Sequence, residues 1–396
     1  MIPELRARFN ASFTDRKYAQ FVERMNHRFR TRIQFRLCET PCFVPRSVQQ
    51  ACEQAAIELT LQAHTPENLK RSEATLRPEY TVAGDSDRST FMTVDFAMTP
   101  GEGDSIAPRL IEMQGFPSLM GFQLLYAELS QEHWRMPPEL CYVNGGHTRS
   151  ELLDIMRRAI VGDEDIESVV LLELDPWNQK TSPDFHALRD LLGIQIVDIR
   201  SVRKVDRVLH YSHDGRMVPI KRIFNRAIVD DLQRSGTDIP FNWNDDLDVV
   251  WAGHPNWYFR ISKYTLPFLD HPTLPPARFL HELTEIPEDL DNYVLKPLYS
   301  FAGVGVVVGP TREQVDAIPH EERNGYILQE RIAYLDAIDA PVGGVKVEIR
   351  VMLIWLPEDD RPTPVMGLVR MGRGKMMGVD FNRDLTWVGS GCNFFW

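Results

Sequence analysis

Tyr293-Val-Leu-Lys296-Pro297-Leu-Tyr-Ser300-Phe-Ala-Gly303-Val-Gly305-Val-Val-Val308 reads as a strand ending in a lysine, a glycine-bearing turn and a second, β-branched strand. A lysine at a strand end beside such a turn brings one ammonium and several backbone N–H groups around a single polyphosphate. A plain hairpin with an exposed lysine satisfies the same pattern, and this segment alone leaves the two readings level. It does exclude two common phosphate loops. GxxxxGK[ST] is absent, and Gly303-Val-Gly305 runs into a strand where a dinucleotide fingerprint would open a helix.

Neighbouring segments favour the phosphate. Upstream, Arg260-Ile-Ser-Lys263-Tyr-Thr-Leu-Pro is a basic helical start whose Lys263 allows two lysines to grip α- and β-phosphates from two sides. Downstream, Tyr326-Ile-Leu-Gln329-Glu330-Arg-Ile332 is an apolar strand with a polar end. It suits an adenine edge, with Ile327 or Ile332 over the face of the base. Glu348-Ile-Arg350 puts a carboxylate and a guanidinium on one face of a strand, because strand side chains alternate. That face can meet phosphate or form a cross-strand ion pair.

A second constellation lies early in the chain. Thr93-Val-Asp95-Phe and Leu110-Ile-Glu112-Met-Gln114 place Asp95 on one strand and Glu112 with Gln114 on one face of the next. Hard oxygen donors of this kind suit magnesium, which takes one or two carboxylates together with substrate phosphates and water. A surface hairpin is the plainer alternative. Both carboxylates sit in apolar runs, however, where an unpaired charge is costly, so metal binding is expected.

Between these constellations the hydrophobic pattern organises the rest. Residues 1–75 read as a helical N-terminal region, with apolar residues at helical spacing from Lys17 to about Ala63 interrupted by Pro41 and Pro45. Residues 76–145 carry the metal-side strands, Phe91 to Phe96 and Leu110 to Met113, joined by a loop from Thr99 to Pro108. In 146–235, a helix over Glu151 to Ile160 precedes a strand, helix and strand at Ser168–Leu174, Phe185–Leu192 and Gln195–Ile199, a βαβ unit that implies a parallel sheet. A hairpin from Val208 to Phe224 turns at Asp214-Gly215. Residues 236–396 form the nucleotide portion, predominantly antiparallel, with a helix over Arg312 to Ile318. The expected fold class is α+β with an α/β (βαβ) portion.

Composition bounds the function. The 396 residues carry a formal charge of −12 with 43% hydrophobic and 25% charged residues, which suits a globular protein of one large or two to three interlocked domains and argues against a nucleic-acid footprint. The polar N-terminus and the absence of a run of roughly 20 apolar residues predict no membrane span and a cytoplasmic location. Five scattered cysteines fit a reducing compartment. Cys38 and Cys42 lack a second ligand pair at zinc spacing, and His210 with His213 has no third partner.

Taken in order, the Asp95–Glu112–Gln114 pair of strands, the Lys263 segment, Lys296-Pro297 with its glycine turn and the Tyr-Ile-x-Gln strand resemble the glutathionylspermidine-synthetase-like ATP-grasp proteins, from about Phe91 to the C-terminus. The resemblance implies an ATP-grasp architecture permuted so that the metal-binding strands precede the nucleotide-gripping lysines. It also implies a carboxylate–amine ligase using ATP and Mg²⁺. Asp95, Glu112 and Gln114 would hold the metal; Lys263 and Lys296 the phosphates; Ser300, Gly303 and Gly305 a flap; and Gln329, Glu330 and Ile332 the adenine. Its partners would be a small-molecule or peptide carboxylate and an amine. Two positions depart from the family pattern. Gln114 stands where Asn is common, and Thr93 where the synthetases carry an arginine two residues before the first metal Asp. The acyl-phosphate charge must then be met elsewhere, with Arg88, Arg226, Arg370 or Arg373 as candidates, and Arg226 and Arg370 join Lys296 as the expected catalytic groups. A small-molecule kinase or an inactive ATP-binding module are the alternatives. The C-terminal stretch from Arg370 to Trp396 reads either as a mobile loop with a packed tail or as a loose connection closed by an aromatic plug.

Overall fold

The computed structural model describes residues 1–299, 304–374, 377, 382 and 384–396. Its largest sheet is antiparallel and joins distant parts of the chain. Strands β2 (Phe91–Pro100), β3 (Ile106–Gln114), β16 (Gly343–Ile354), β17 (Thr363–Gly372) and β18 (Gly389–Gly391) run in the order β18-β17-β16-β2-β3, and β15 (Ile338–Ala340) pairs with the start of β16. β2 and β3 are longer than the sequence pattern suggested, because pairing extends both into the expected Thr99–Pro108 loop.

Alternation gives this sheet two unlike faces. Val94, Phe96, Met98, Met113, Ile349, Val351 and Val369 point into a core shared with helices α2 (Asp15–Phe29) and α3 (Arg46–Ala63), which follow the short α1 (Pro3–Ser12). α2 buries Phe21, Met25 and Phe29; Thr14 caps its start, and Arg30 in the left-handed conformation ends it. Between α2 and α3 the sequence reading expected only a proline break. Cys42–Val44 instead forms β1, paired in parallel with β19 (Asn393–Phe395). The C-terminal aromatic residues Phe394 and Phe395 are buried in the same core, as both the packed tail and the aromatic plug of the sequence reading require.

The βαβ expectation holds. β4 (Val169–Glu173), β5 (Gln195–Asp198), β9 (Arg222–Asn225) and β10 (Val250–Ala252) form a parallel sheet in the order β10-β9-β4-β5. Helices α5 (Met120–His133), α6 (Arg149–Ile160) and α7 (Ser182–Leu192), the fifth to seventh after the short α4 (Pro66–Ser72), supply apolar side chains to its packing. β6 (Arg203–Val205), β7 (Val208–His213) and β8 (Arg216–Ile220) make a three-stranded antiparallel sheet, with the turn at Asp214-Gly215. The hairpin ends at Ile220; Arg222–Asn225, read as its continuation, joins the parallel sheet.

Lys296 lies on the last sheet, whose order is β11-β14-β12-β13: β11 (Ala277–Phe279), β12 (Tyr293–Pro297), β13 (Val307–Val308) and β14 (Tyr326–Glu330). Leu295 and Leu328 face a small core with Leu280 and Val315. Lys296, by alternation, faces the other way, toward the large sheet. The chain is thus an α+β protein containing a parallel α/β portion, and among the described residues no helix is long and apolar enough to cross a membrane.

Candidate active site

The second face of the large sheet changes character along its length. At one end Met352, Ile354 and Leu368 are covered by the core beneath the parallel sheet. At the other end the same face is charged. Register sets Asp95 opposite Glu112 on one side and Arg350 on the other, and Glu348 opposite Arg370. Side chains directly opposite on neighbouring strands stand close enough to interact. Five ionisable groups from four strands therefore meet.

Asp95 is 1% exposed and carries two arginines. Arg350 donates from Nε to Oδ1 at 2.6 Å and from Nη2 to Oδ2 at 2.7 Å, and Arg370 donates from Nη2 to Oδ2. Burial pushes the Asp95 carboxyl up, but the two guanidiniums outweigh it and hold the group below the usual carboxylate range. Arg370 also lies 2.9 Å from Glu348 Oε2, while Tyr334 donates its hydroxyl to Glu348 Oε1 at 2.6 Å. Burial still raises Glu348, with Arg370 opposing.

Lys296 crosses from β12 to this face. Its ammonium donates to Gln329 Oε1 at 2.6 Å and to the Ile111 carbonyl on β3 at 3.1 Å. Burial pushes it down to about 8, only partly opposed by Glu112. The Gln329 amide nitrogen is buried without a hydrogen-bond partner among the described residues. Lys263, lowered by burial with Glu112 opposing, opens a 3₁₀ helix capped by Ser262; its Nζ lies 4.0 Å from Glu112 Oε2. Gln114 donates to the other Glu112 oxygen at 2.8 Å.

Glu112, Gln114 and Lys263 line a cleft of about 180 Å³ with Arg226, Tyr258 and Tyr299, and Lys296 and Gln329 are not part of that lining. One residue that sequence reading overlooked closes its wall. A Cβ on Gly115 would fall 2.5 Å from the Trp257 carbonyl oxygen, and the Gly115 N–H donates to the Ile261 carbonyl at 3.1 Å. Only glycine lets the Lys263 segment press against β3 there. Across the cleft, Arg226 follows β9, donates to the Pro117 carbonyl at 2.5 Å and lies over the Phe116 ring at 4.4 Å. Glu173, at the end of β4, is raised to about 7 by burial, with Arg226 opposing. Asp184 on α7 caps α5 by accepting from the Leu119 and Phe122 N–H groups at 2.8 and 2.9 Å.

The structure thus brings Asp95, Glu112, Gln114, Lys263, Lys296, Gln329 and Arg370 together, with Arg226 on the facing wall. Arg88 is engaged by the Asp359 carbonyl and the Trp355 ring, and Arg373 by the Val342 carbonyl. Glu330 is exposed and Ile332 half-buried. Gly305 has φ +73°; Ser300 and Gly303 lie outside the described residues. Asp95, expected to join Glu112 and Gln114 at a metal, has both oxygens on guanidiniums. Among the described residues no three His, Cys, Asp or Glu side chains stand together at metal-binding distance. Glu112 and the Gln114 carbonyl oxygen remain, a donor pair that fits magnesium only when phosphate oxygens complete the shell. An anionic nucleotide fits the two buried lysines and the orphaned Gln329 amide.

The fold built from the large antiparallel sheet, the smaller lysine-bearing sheet and the parallel portion has a likeness among solved structures. The solved structure of a glutathione synthetase-like effector from Globodera pallida, in its apo form, superposes with a TM-score of 0.58 over 98% of this chain and 98% of that one, at 11% identity. No family model matches the sequence, and no curated protein matches it.

Proposed function

We propose that the chain is an ADP-forming carboxylate–amine ligase of the ATP-grasp type, in the permuted order in which the Glu112 strands precede the lysines. The observation that carries this reading is the convergence of buried Lys296 and Lys263 on Glu112 and Gln114, beside an orphaned Gln329 amide. Two ammonium groups held at low polarity have strong electrostatic leverage on a polyphosphate. In this reading Gln329 reads the adenine, the lysines hold the phosphates, and Glu112 with Gln114 would hold magnesium, which supplies charge neutralisation at the transferred group.

An oxygen of the acid substrate bonds to the γ-phosphorus as the bond to the β–γ bridging oxygen breaks, and ADP leaves. The amine nitrogen then bonds to the acyl carbon, the bond to the phosphate oxygen breaks, and the amine gives up a proton. Positioning and charge stabilisation suffice for both steps. Calorimetric titration of ATP with and without Mg²⁺ tests the reading. Magnesium-dependent binding that weakens in Lys296→Ala and Glu112→Ala is expected, followed by ADP release only when acid and amine are both present. ADP release with acid alone, accompanied by a stable phosphorylated product, would point to a kinase, and folded wild-type protein that binds no ATP would reject both.

A further inference from the structure

The charged face of the large sheet gathers cations around its carboxylates. Lys263, Lys296, Arg350 and Arg370 confront Asp95, Glu112 and Glu348, and burial moves Glu348 toward its neutral form. The side chains concerned are largely withdrawn from water: Arg350 retains 12% exposure and Arg370 32%.

The two arginines are also aimed. A guanidinium carries five N–H donors in a fixed planar fork. Arg350 commits Nε and Nη2 to Asp95; Arg370 donates Nη2 to Asp95, while its Nε, 2.9 Å from Glu348 Oε2, makes no hydrogen bond among the described residues. Their Nη1 groups have no protein partner among the described residues. Tyr334 fixes the outer carboxylate from behind. A sheet needing only cohesion would carry apolar residues here, as its opposite face does, because a buried ion-pair network adds little over well-packed hydrophobic side chains. Thr93, where the family pattern has an arginine, is on this same face, one pair along from Asp95, and its hydroxyl is buried without a hydrogen-bond partner among the described residues.

We propose that Arg350 and Arg370 form an oxyanion receptor for the phosphoryl group in transit to the acid substrate, and that Asp95 is the positioning residue that aligns both guanidiniums instead of a metal ligand. The inference rests on the ligase reading for the identity of the anion. It moves the guanidinium missing at position 93 to the next two strands of the sheet, and leaves Glu112 and Gln114 as the metal side of the site.

Two titrations separate these assignments. The first measures inorganic phosphate binding in EDTA for wild type, Arg350→Gln and Arg370→Gln. Removing one charge-assisted hydrogen-bonding group should weaken phosphate about tenfold or more. Arg370→Gln, at the more exposed position, is the variant that tolerates the change; a melting temperature near wild type establishes that it folds. The second measures the gain in ADP affinity on adding Mg²⁺. Asp95→Asn should keep that gain within about twofold of wild type, whereas Glu112→Gln should lose it. Wild type that binds no phosphate at millimolar concentration, or folded arginine variants that bind it equally well, would overturn the receptor. Loss of the magnesium gain in folded Asp95→Asn would return Asp95 to the metal. If ADP does not bind at all, the ligase reading fails, and the phosphate titrations alone decide the receptor.

Discussion

Replacing Lys296 by methionine should separate stability from function. The ammonium is buried, and its pKa falls from 10.5 to about 8. At about 1.4 kcal/mol per tenfold step, holding that charge costs on the order of 3 kcal/mol in the folded protein at pH 7. Removing it orphans Gln329 Oε1 and the Ile111 carbonyl, at about 1 kcal/mol each. Lys296→Met is therefore expected to be about 1 kcal/mol more stable than wild type at pH 7. Between pH 8 and 10.5 the unfolded chain still holds the proton that the folded chain has released, so wild-type stability gains with rising pH. The variant lacks that gain, and its advantage should fall by about 2 kcal/mol between pH 7 and 9.5, enough to reverse its sign. Urea denaturation at both pH values measures this, and ATP calorimetry on the same protein should find binding weakened. A difference from wild type that is the same at the two pH values would refute the reasoning.

Three further outcomes are expected. ATP affinity should fall roughly tenfold per pH unit above about pH 8, because the free protein then lacks the Lys296 proton that the bound phosphate requires; an affinity flat to pH 9.5 would exclude Lys296 as a phosphate ligand. Gly115→Ala should cost about 1–3 kcal/mol and weaken ATP by displacing the Lys263 segment, whereas Gly325→Ala, with nothing within 4 Å of its added Cβ, should change neither in urea titration and calorimetry. Asp184→Ala should lower stability by about 2 kcal/mol through removal of both α5 cap bonds, and an unchanged denaturation midpoint would contradict that role.

Local pattern made part of this protein legible. Period-2 alternation put Asp95 on one face of its strand, Glu112 with Gln114 on one face of the next, and Glu348 with Arg350 on one face of a third, and all of these occupy the same charged face. The strand-turn-strand reading around Lys296 matches β12 and β13, and the strand–helix–strand order at 168–199 specified parallel pairing, since a short turn cannot connect parallel strands. Boundaries were less secure. Arg222–Asn225 continues the hydrophobic texture of the β7–β8 hairpin, and nothing local tells a third hairpin segment from a strand of another sheet. Cys42–Val44 is too short to register a period, and its partner is β19, near the other end of the chain.

By itself, then, the sequence determined which residues are chemically equipped and which side of its own element each one faces, because rotamer and backbone periodicities are properties of neighbouring residues. Only the tertiary structure decided whom they meet. Arg350 and Arg370 reach Asp95 across 255 and 275 residues, and the Lys263 segment closes on Glu112 because Gly115 carries no side chain. Register and sheet order set those encounters through the summed packing of whole faces, so a carboxylate embedded in an apolar run reads the same whether its counter-charge proves to be a metal ion or a pair of guanidiniums.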